Sequence, residues 1–378
     1  MYLNNAFSKQ PLEEAVHAML PFLREQFENP LTDSEGAEHA GAAIRKARES
    51  VAALVRAQPE EICFVSSGTE ANNWALKGAA QVRRGRSAHL VISSIEHFSV
   101  FQTALHLQKE GVEVTIVPVN GEGLVDPDDV AAAIRPDTVL VSILAGSDEI
   151  GVMQDLAALS VLKQRHPLVY FHTDAVQYLC YEELDTRLLA FDLISLSSNA
   201  LYGPAGIAAL FIRQGTRLAP LLHGGMQEEG RRPGLQSMAL VAGFGAAAEV
   251  NIRKKAQWRH NLLEWRAEMF TCFDRLLIPV TGSRSRRLVD NVHGIVDVDG
   301  EALLTLLSEE GIRASTGSTC YPYAQKQSHV LKALGLSGEQ SRGSILFTAS
   351  ADQDHACGSR LAACLEESLQ GLRALKPW

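Results

Sequence analysis

Apolar positions in the first half of the chain gather into short, nearly continuous runs. Six are ICFVS (62–66), HLVIS (89–93), TVLVSI (138–143), LVYFH (168–172), FDLISLS (191–197) and IAALFI (207–212), and a seventh centres on Thr115. β-branched and aromatic residues are frequent in them, which suits strands. A strand with one wet face alternates polar and apolar residues. These runs are apolar almost throughout, so both faces are expected to be covered. Between them the period lengthens to that of a helix: in 38–56, Ile44, Val51, Leu54 and Val55 recur at helical spacing. Strands alternating with helices predict an α/β fold with a mostly parallel seven-stranded sheet.

The pattern changes near residue 250. Residues 250–270 read as one long amphipathic helix, a bridge to a second unit. Beyond it come an apolar run (291–298), a helix (301–310), GIRASTGSTC (311–320), a helix (329–335), the run SILFT (344–348) and a terminal helix. That order predicts a smaller α+β domain.

Composition narrows the function classes. The chain has 378 residues, of which 46% are hydrophobic and 21% charged, ample for a packed core. A net charge of −9 argues against a general nucleic-acid surface. The basic stretches RRGR (83–86) and SRSRR (283–287) read as solvated loops. No apolar run reaches the roughly 18 residues that a membrane span needs. The first thirty residues lack the apolar segment of a secretion signal. Six scattered cysteines without a CxxC pair suggest a reducing compartment, and a cytoplasmic location is expected.

Three stretches carry candidate chemistry. SSGTEANN (66–73) follows a strand and opens a helix, so Gly68 and Thr69 put free N–H groups, a hydroxyl and the positive end of the helix dipole at one point. A phosphate suits that point, and an ordinary capped helix explains it equally well. FHTDAVQ (171–177) sets Asp174 at the end of a buried strand, where a carboxylate needs a partner. SSIEHFSV (93–100) sets His97 just after another. Cys320 lies in the small, polar stretch STGSTCYP, which suits a reactive thiol better than the apolar surroundings of Cys63.

Taken in order, YLNNA, GTEANN, IEH, DEIG, HTDAVQ, SLSSNALYGP, GGMQEEGRRPG, STGSTC and SHVLKALG resemble the cysteine desulfurase family of pyridoxal-phosphate (PLP) proteins, within the class V aminotransferase superfamily. The resemblance implies an aspartate-aminotransferase-like large domain over 13–250. It implies a small domain made of 1–12 and 251–378 that carries the Cys320 loop. Gly68, Thr69 and Ser197 match positions that hold the PLP phosphate. His97 matches the histidine stacked on the ring, Asp174 the partner of the ring nitrogen, and Gln177 a donor to the ring hydroxyl. Arg342 matches the arginine that clamps the substrate carboxylate. Cys320 matches the nucleophile that takes sulfur from L-cysteine, leaving alanine. A homodimer is implied, with GGMQEEGRRPG (224–234) reaching the partner's site.

The departures cluster on the cofactor side. Ala200 stands where the family has the lysine that binds PLP covalently and shuttles protons. Asn199 replaces a phosphate-binding histidine and Leu235 a phosphate-binding threonine. Ser147 and Asp148 replace paired asparagines, and Asp148 is expected to repel the ring oxygen when ionised. Ala205, Met226 and Phe7-Ser8-Lys9 depart as well. So many joint changes read as natural divergence rather than one engineered substitution. Neither Lys9 nor Lys326 is expected to replace the missing lysine.

Two readings follow. The first is a cysteine desulfurase homologue that holds PLP non-covalently at best, with L-cysteine as candidate ligand and turnover absent or severely slowed. The second is a non-enzymatic persulfide acceptor, iron–sulfur scaffold or regulatory partner that uses Cys320, including as one thiolate of a shared cluster. A sulfur acceptor or scaffold protein is the expected partner in either case, with no nucleic acid and no membrane.

Overall fold

The computed structural model describes residues 1–82, 87–317, 327–351 and 357–375. In chain order its elements are α1 (Glu13–Arg24), α2 (Glu35–Leu54), β1 (Ile62–Val65), α3 (Gly68–Val82), β2 (His89–Ser93), α4 (Phe98–Lys109), β3 (Glu113–Val117), α5 (Pro127–Ala133), β4 (Thr138–Ser142), α6 (Leu156–Arg165), β5 (Tyr170–Asp174), β6 (Leu193–Ser197), β7 (Ala208–Ile212), α7 (Met238–Arg275), β8 (Asn291–Ile295), α8 (Gly300–Glu309), α9 (His329–Ala333), α10 (Gly338–Arg342), β9 (Ser344–Thr348) and α11 (Cys357–Ala374).

Each of the seven apolar runs forms a strand of one sheet, ordered β1-β7-β6-β5-β4-β2-β3. β7 is antiparallel to both β1 and β6, and the remaining neighbours pair in parallel. The α/β class and mostly parallel sheet read from the sequence are therefore observed. The five interior strands and β1 are buried at every position or all but one, and only β3, at the edge, is largely exposed. Each buried Leu, Ile or Val side chain stabilises such a sheet by roughly 1.5–3 kcal/mol.

The helix expected at 250–270 runs from Met238 to Arg275. Its added first turns carry Gly243, Gly245, Ala247 and Ala248, all buried. A Cβ on Gly245 would lie 2.7 Å from Ala47 of α2, so glycine is what lets these two helices touch. The chain's first residues join its last third. Leu3 N–H donates to the Arg313 carbonyl at 2.7 Å, and Thr348 N–H donates to the Leu3 carbonyl at 2.8 Å. β8 and β9 form a separate antiparallel pair. Among the described residues no helix is long and apolar enough to cross a membrane.

Candidate functional site

Parallel strands deliver their carboxyl ends to one edge of a sheet, and ligand clefts form there. The segments after β1, β2, β4, β5 and β6 meet at this edge around a cleft of about 240 Å³. Its lining includes Gly68, Thr69, His97, Asp148, Asp174, Gln177, Ser197, Asn199 and Ala200, with Ala6 and Phe7 arriving from the N-terminus. Nine residues singled out from distant stretches of sequence thus face one space.

The register explains part of this convergence. Ala208 of β7 pairs with Val65 on one side and Ser197 on the other, so the start of α3 lies beside the end of β6. A Cβ on Gly68 would come within 2.9 Å of Val176 and 3.9 Å of Ser197. Glycine there leaves the amino end of α3 open to the cleft.

Asp174 is the best-supported side chain of the site. Its Oδ1 accepts from Val176 N–H at 3.0 Å and its Oδ2 from Asn72 Nδ2 at 2.6 Å. Asn72 was not singled out in the sequence, although three residues after Thr69 on one helix puts both on one face. Its second amide proton goes to Ser99 Oγ at 2.8 Å, and Ser99 Oγ lies 2.7 Å from His97 Nδ1. Ser99 N–H also donates to Nδ1, which fixes that nitrogen as an acceptor. One amide therefore orients both the carboxylate and the imidazole. Asn72 is 1% exposed, and its Oδ1 has no hydrogen-bond partner among the described residues.

Behind this wall Glu96 is fully buried. Its Oε1 accepts from Ser93 Oγ at 2.6 Å and Leu144 N–H at 2.9 Å, while Oε2 has no hydrogen-bond partner among the described residues. Burial, aided by nearby Asp174, pushes its carboxyl up to about 8, so it is largely neutral at pH 7. The Asp148 backbone carbonyl accepts from Asn291, but no hydrogen bond or ion pair reaches its carboxylate among the described residues.

The described lining contains neither lysine nor arginine. Residues 1–352 match the Aminotransferase class-V family model. The chain belongs to the class-V aminotransferase family.

Within that family its likeness is to cysteine desulfurases. It is 37% identical to cysteine desulfurase IscS of Dictyoglomus turgidum, covering 100% of this chain and 96% of the relative. It is 38% identical to cysteine desulfurase IscS of Methanosarcina thermophila, covering 100% and 94%. A solved NifS-like protein superposes with a TM-score of 0.92 at 28% identity, covering 98% of this chain and 100% of that one. The structure of SspA in complex with cysteine superposes with a TM-score of 0.81 at 32% identity over 92% of this chain and 98% of that one.

Two of the departures expected from the resemblance have a visible physical setting. Asn199 is tied to the N-terminal segment: its Nδ2 donates to the Phe7 carbonyl at 3.3 Å and its Oδ1 accepts from Lys9 N–H at 3.4 Å. Ala200 follows in the turn between β6 and β7, a buried methyl in the cleft wall. That turn closes on Tyr202, whose φ of 61° is held by an OH bonded to Tyr181 at 2.7 Å and accepting from Ala351 N–H at 2.6 Å.

Lys9 comes close to this turn but not into the cleft lining. Its Nζ donates to Tyr181 OH at 3.4 Å, lies 3.7 Å from Asp290 and sits over the rings of Tyr181 and Tyr202. Burial works against its charge, but Cys180, Tyr202 and Asp290 around it prevail and hold the ammonium above the ordinary lysine range. A protonated amine enclosed in this way is no nucleophile.

Gln177 lines the cleft and spends one amide proton on the Ala6 carbonyl at 2.7 Å. Arg342 is not brought to the cleft: it is exposed at the last position of α10. Cys320 and Lys326 lie outside the described residues, as does the basic stretch 83–86. Residues 224–234 form a loop anchored on its own chain. Glu228 pairs bidentately with Arg48 at 2.6 and 2.8 Å, and Arg232 with Glu70 at 3.0 and 3.2 Å. Met226, in this loop, and Leu235, just after it, are 72% and 71% exposed.

Proposed function

We propose that this chain is a cysteine desulfurase homologue that holds PLP without a covalent link and turns over L-cysteine slowly or once only. The observation that carries the reading is the composition of one cleft: a doubly supported Asp174, His97 and the open amino end of α3 surround Ala200, with no lysine in the described lining.

The residues present fit the ring and phosphate of PLP but not its covalent attachment. Gly68, where a Cβ would crowd Val176, leaves backbone N–H groups and the helix dipole for the phosphate, with Thr69 and Ser197 beside them. Asp174, kept in place by Asn72 and Val176, would hold the ring nitrogen. His97, its ring oriented through Ser99, would pack against the ring. When bound, PLP supplies an electron sink for bonds at the substrate α-carbon. Ala200 can neither attach the cofactor nor carry a proton to or from that carbon. Cys320 is the sulfur acceptor in this reading. The protein works as a homodimer, with residues 224–234 at the contact, and hands sulfur to an acceptor or scaffold protein.

The test is the visible spectrum of purified protein with added PLP, before and after L-cysteine, with alanine measured in parallel. The expected result is a PLP absorbance that shifts with L-cysteine and at most about one alanine per subunit. No spectral response to PLP or to L-cysteine ends the reading.

A second reading is a non-enzymatic persulfide acceptor or iron–sulfur scaffold built on the same fold. The engagement of Asn199 with Phe7 and Lys9 favours it, because those bonds tie its amide to the N-terminal segment although it lines the cleft. Cys320→Ala leaving sulfur transfer from a desulfurase unchanged sinks it.

A further inference from the structure

Besides the free N–H groups and hydroxyls at the amino end of α3, the cleft holds two acceptors that no described residue supplies. The Asp148 carboxylate takes no hydrogen bond or ion pair among the described residues, its charge being felt by His329, whose imidazole burial holds toward the neutral form; Asn72 Oδ1, on a side chain 1% exposed, has no hydrogen-bond partner among them either. Both accept hydrogen bonds. Asp174 is already supplied by Asn72 and Val176. The charges agree with this: two carboxylates line the cleft and the described lining adds no lysine or arginine to balance them. Glu96, behind the wall, contributes no positive charge, and Lys9 is spent on Asp290 and Tyr181.

An aldehyde brings no donor and no charge to such a place. In a site with a lysine, the aldehyde form gains a covalent bond that outweighs this. Ala200 removes that advantage, so the aldehyde and amine forms of the cofactor compete on non-covalent terms alone. An ammonium offers three donors and a positive charge, and a half-buried carboxylate attracts it more strongly than in bulk water.

We propose that the cleft takes the amine form of the cofactor, pyridoxamine 5′-phosphate, in preference to PLP, with Asp148 as the counter-charge to its ammonium group. This rests on the reading of the cleft as a cofactor site. The preference makes Asp148, at a position where the family has an asparagine, a specificity-determining residue rather than a defect.

The test is equilibrium dialysis of the full-length protein, freed of bound cofactor, against three ligands separately at neutral pH without amino acids: pyridoxamine 5′-phosphate, PLP and the neutral alcohol pyridoxine 5′-phosphate. The amine is expected to bind about tenfold more tightly than the other two, a ratio that corresponds to one well-placed ionic contact. Asp148→Asn is expected to bring the three affinities together, and Asp148→Glu to keep the preference. A melting temperature for each variant guards against loss of fold. PLP binding as tightly as the amine, or an amine preference that survives Asp148→Asn, overturns the inference and leaves the cofactor reading standing. Binding of none of the three overturns both.

Discussion

Asn72 Nδ2 donates to Asp174 Oδ2 at 2.6 Å, joining the first turns of α3 to the end of β5 across 102 residues of sequence. The same amide reaches Ser99, and through it His97. The two side chains expected on either side of a cofactor ring therefore share one support. Asn72→Ala removes a buried charge-assisted bond worth about 1–3 kcal/mol. PLP affinity is expected to fall about tenfold or more in equilibrium dialysis. Asn72→Asp, which sets a carboxylate against Asp174, is expected to weaken binding further. Unchanged affinity in both variants would separate Asn72 from the site.

Ala200 is buried, yet its methyl group lines the cleft, so a longer side chain there has open space ahead of it. Ala200→Lys is expected to acquire covalently bound PLP, seen as a borohydride-reducible adduct on the peptide that contains residue 200. Repeated alanine formation from L-cysteine is a second readout. An adduct without turnover would place the remaining loss of activity in the other departures.

Lys9 and Asp290 form a buried pair enclosed by Tyr181 and Tyr202. Removing one partner of such a pair leaves an uncompensated charge and costs about 3–5 kcal/mol. Lys9→Met is expected to lower stability by that amount in denaturant unfolding, and the further change Asp290→Leu to recover part of it. Full stability of Lys9→Met alone would contradict the pairing.

Burial raises Glu96 from 4.5 to about 8, so the folded protein binds a proton there that the unfolded chain has released. The sign follows from linkage: between those values the folded state holds more protons, so this group makes stability fall as pH rises, and the effect levels off above about pH 8. Glu96→Gln keeps the acceptor used by Ser93 and Leu144 and is expected to flatten that fall. Melting temperatures of both proteins across this range check it, and parallel curves would refute the shift.

The exposed apolar side chains Met226 and Leu235 flank a loop that Glu228 and Arg232 fix in place. If this loop forms the dimer contact, Leu235→Glu gives a monomer by sedimentation at micromolar concentration. A dimer of unchanged affinity would put the contact elsewhere.

The sheet was legible because a strand covered on both faces writes an unbroken apolar run; six such runs became buried strands, and the seventh became the exposed edge strand β3. Residues 238–249 were harder to read: α7 packs there by small residues such as Gly243 and Gly245, which leave a faint hydrophobic stripe. The cleft residues next to strand ends were found because the ordered motifs placed them there. Asn72 was missed because its role depends on which residues face its helix turn from β5 and α4. The burial of Lys9 was hidden for the same reason, since Asp290 and Tyr181 are remote in sequence. Arg342 was expected at the site from its motif, yet it ends α10 in solvent.

Cofactor retention without a covalent lysine is the centre of this account, and borohydride reduction measures it. Protein loaded with PLP and dialysed is reduced, denatured and mapped by mass spectrometry, with free cofactor counted alongside. The account predicts that the retained cofactor is all recovered free, as pyridoxine 5′-phosphate from reduction of the unlinked aldehyde, with no pyridoxyl group on any lysine peptide. A stoichiometric pyridoxyl adduct on any lysine, Lys9 and Lys326 included, would contradict it.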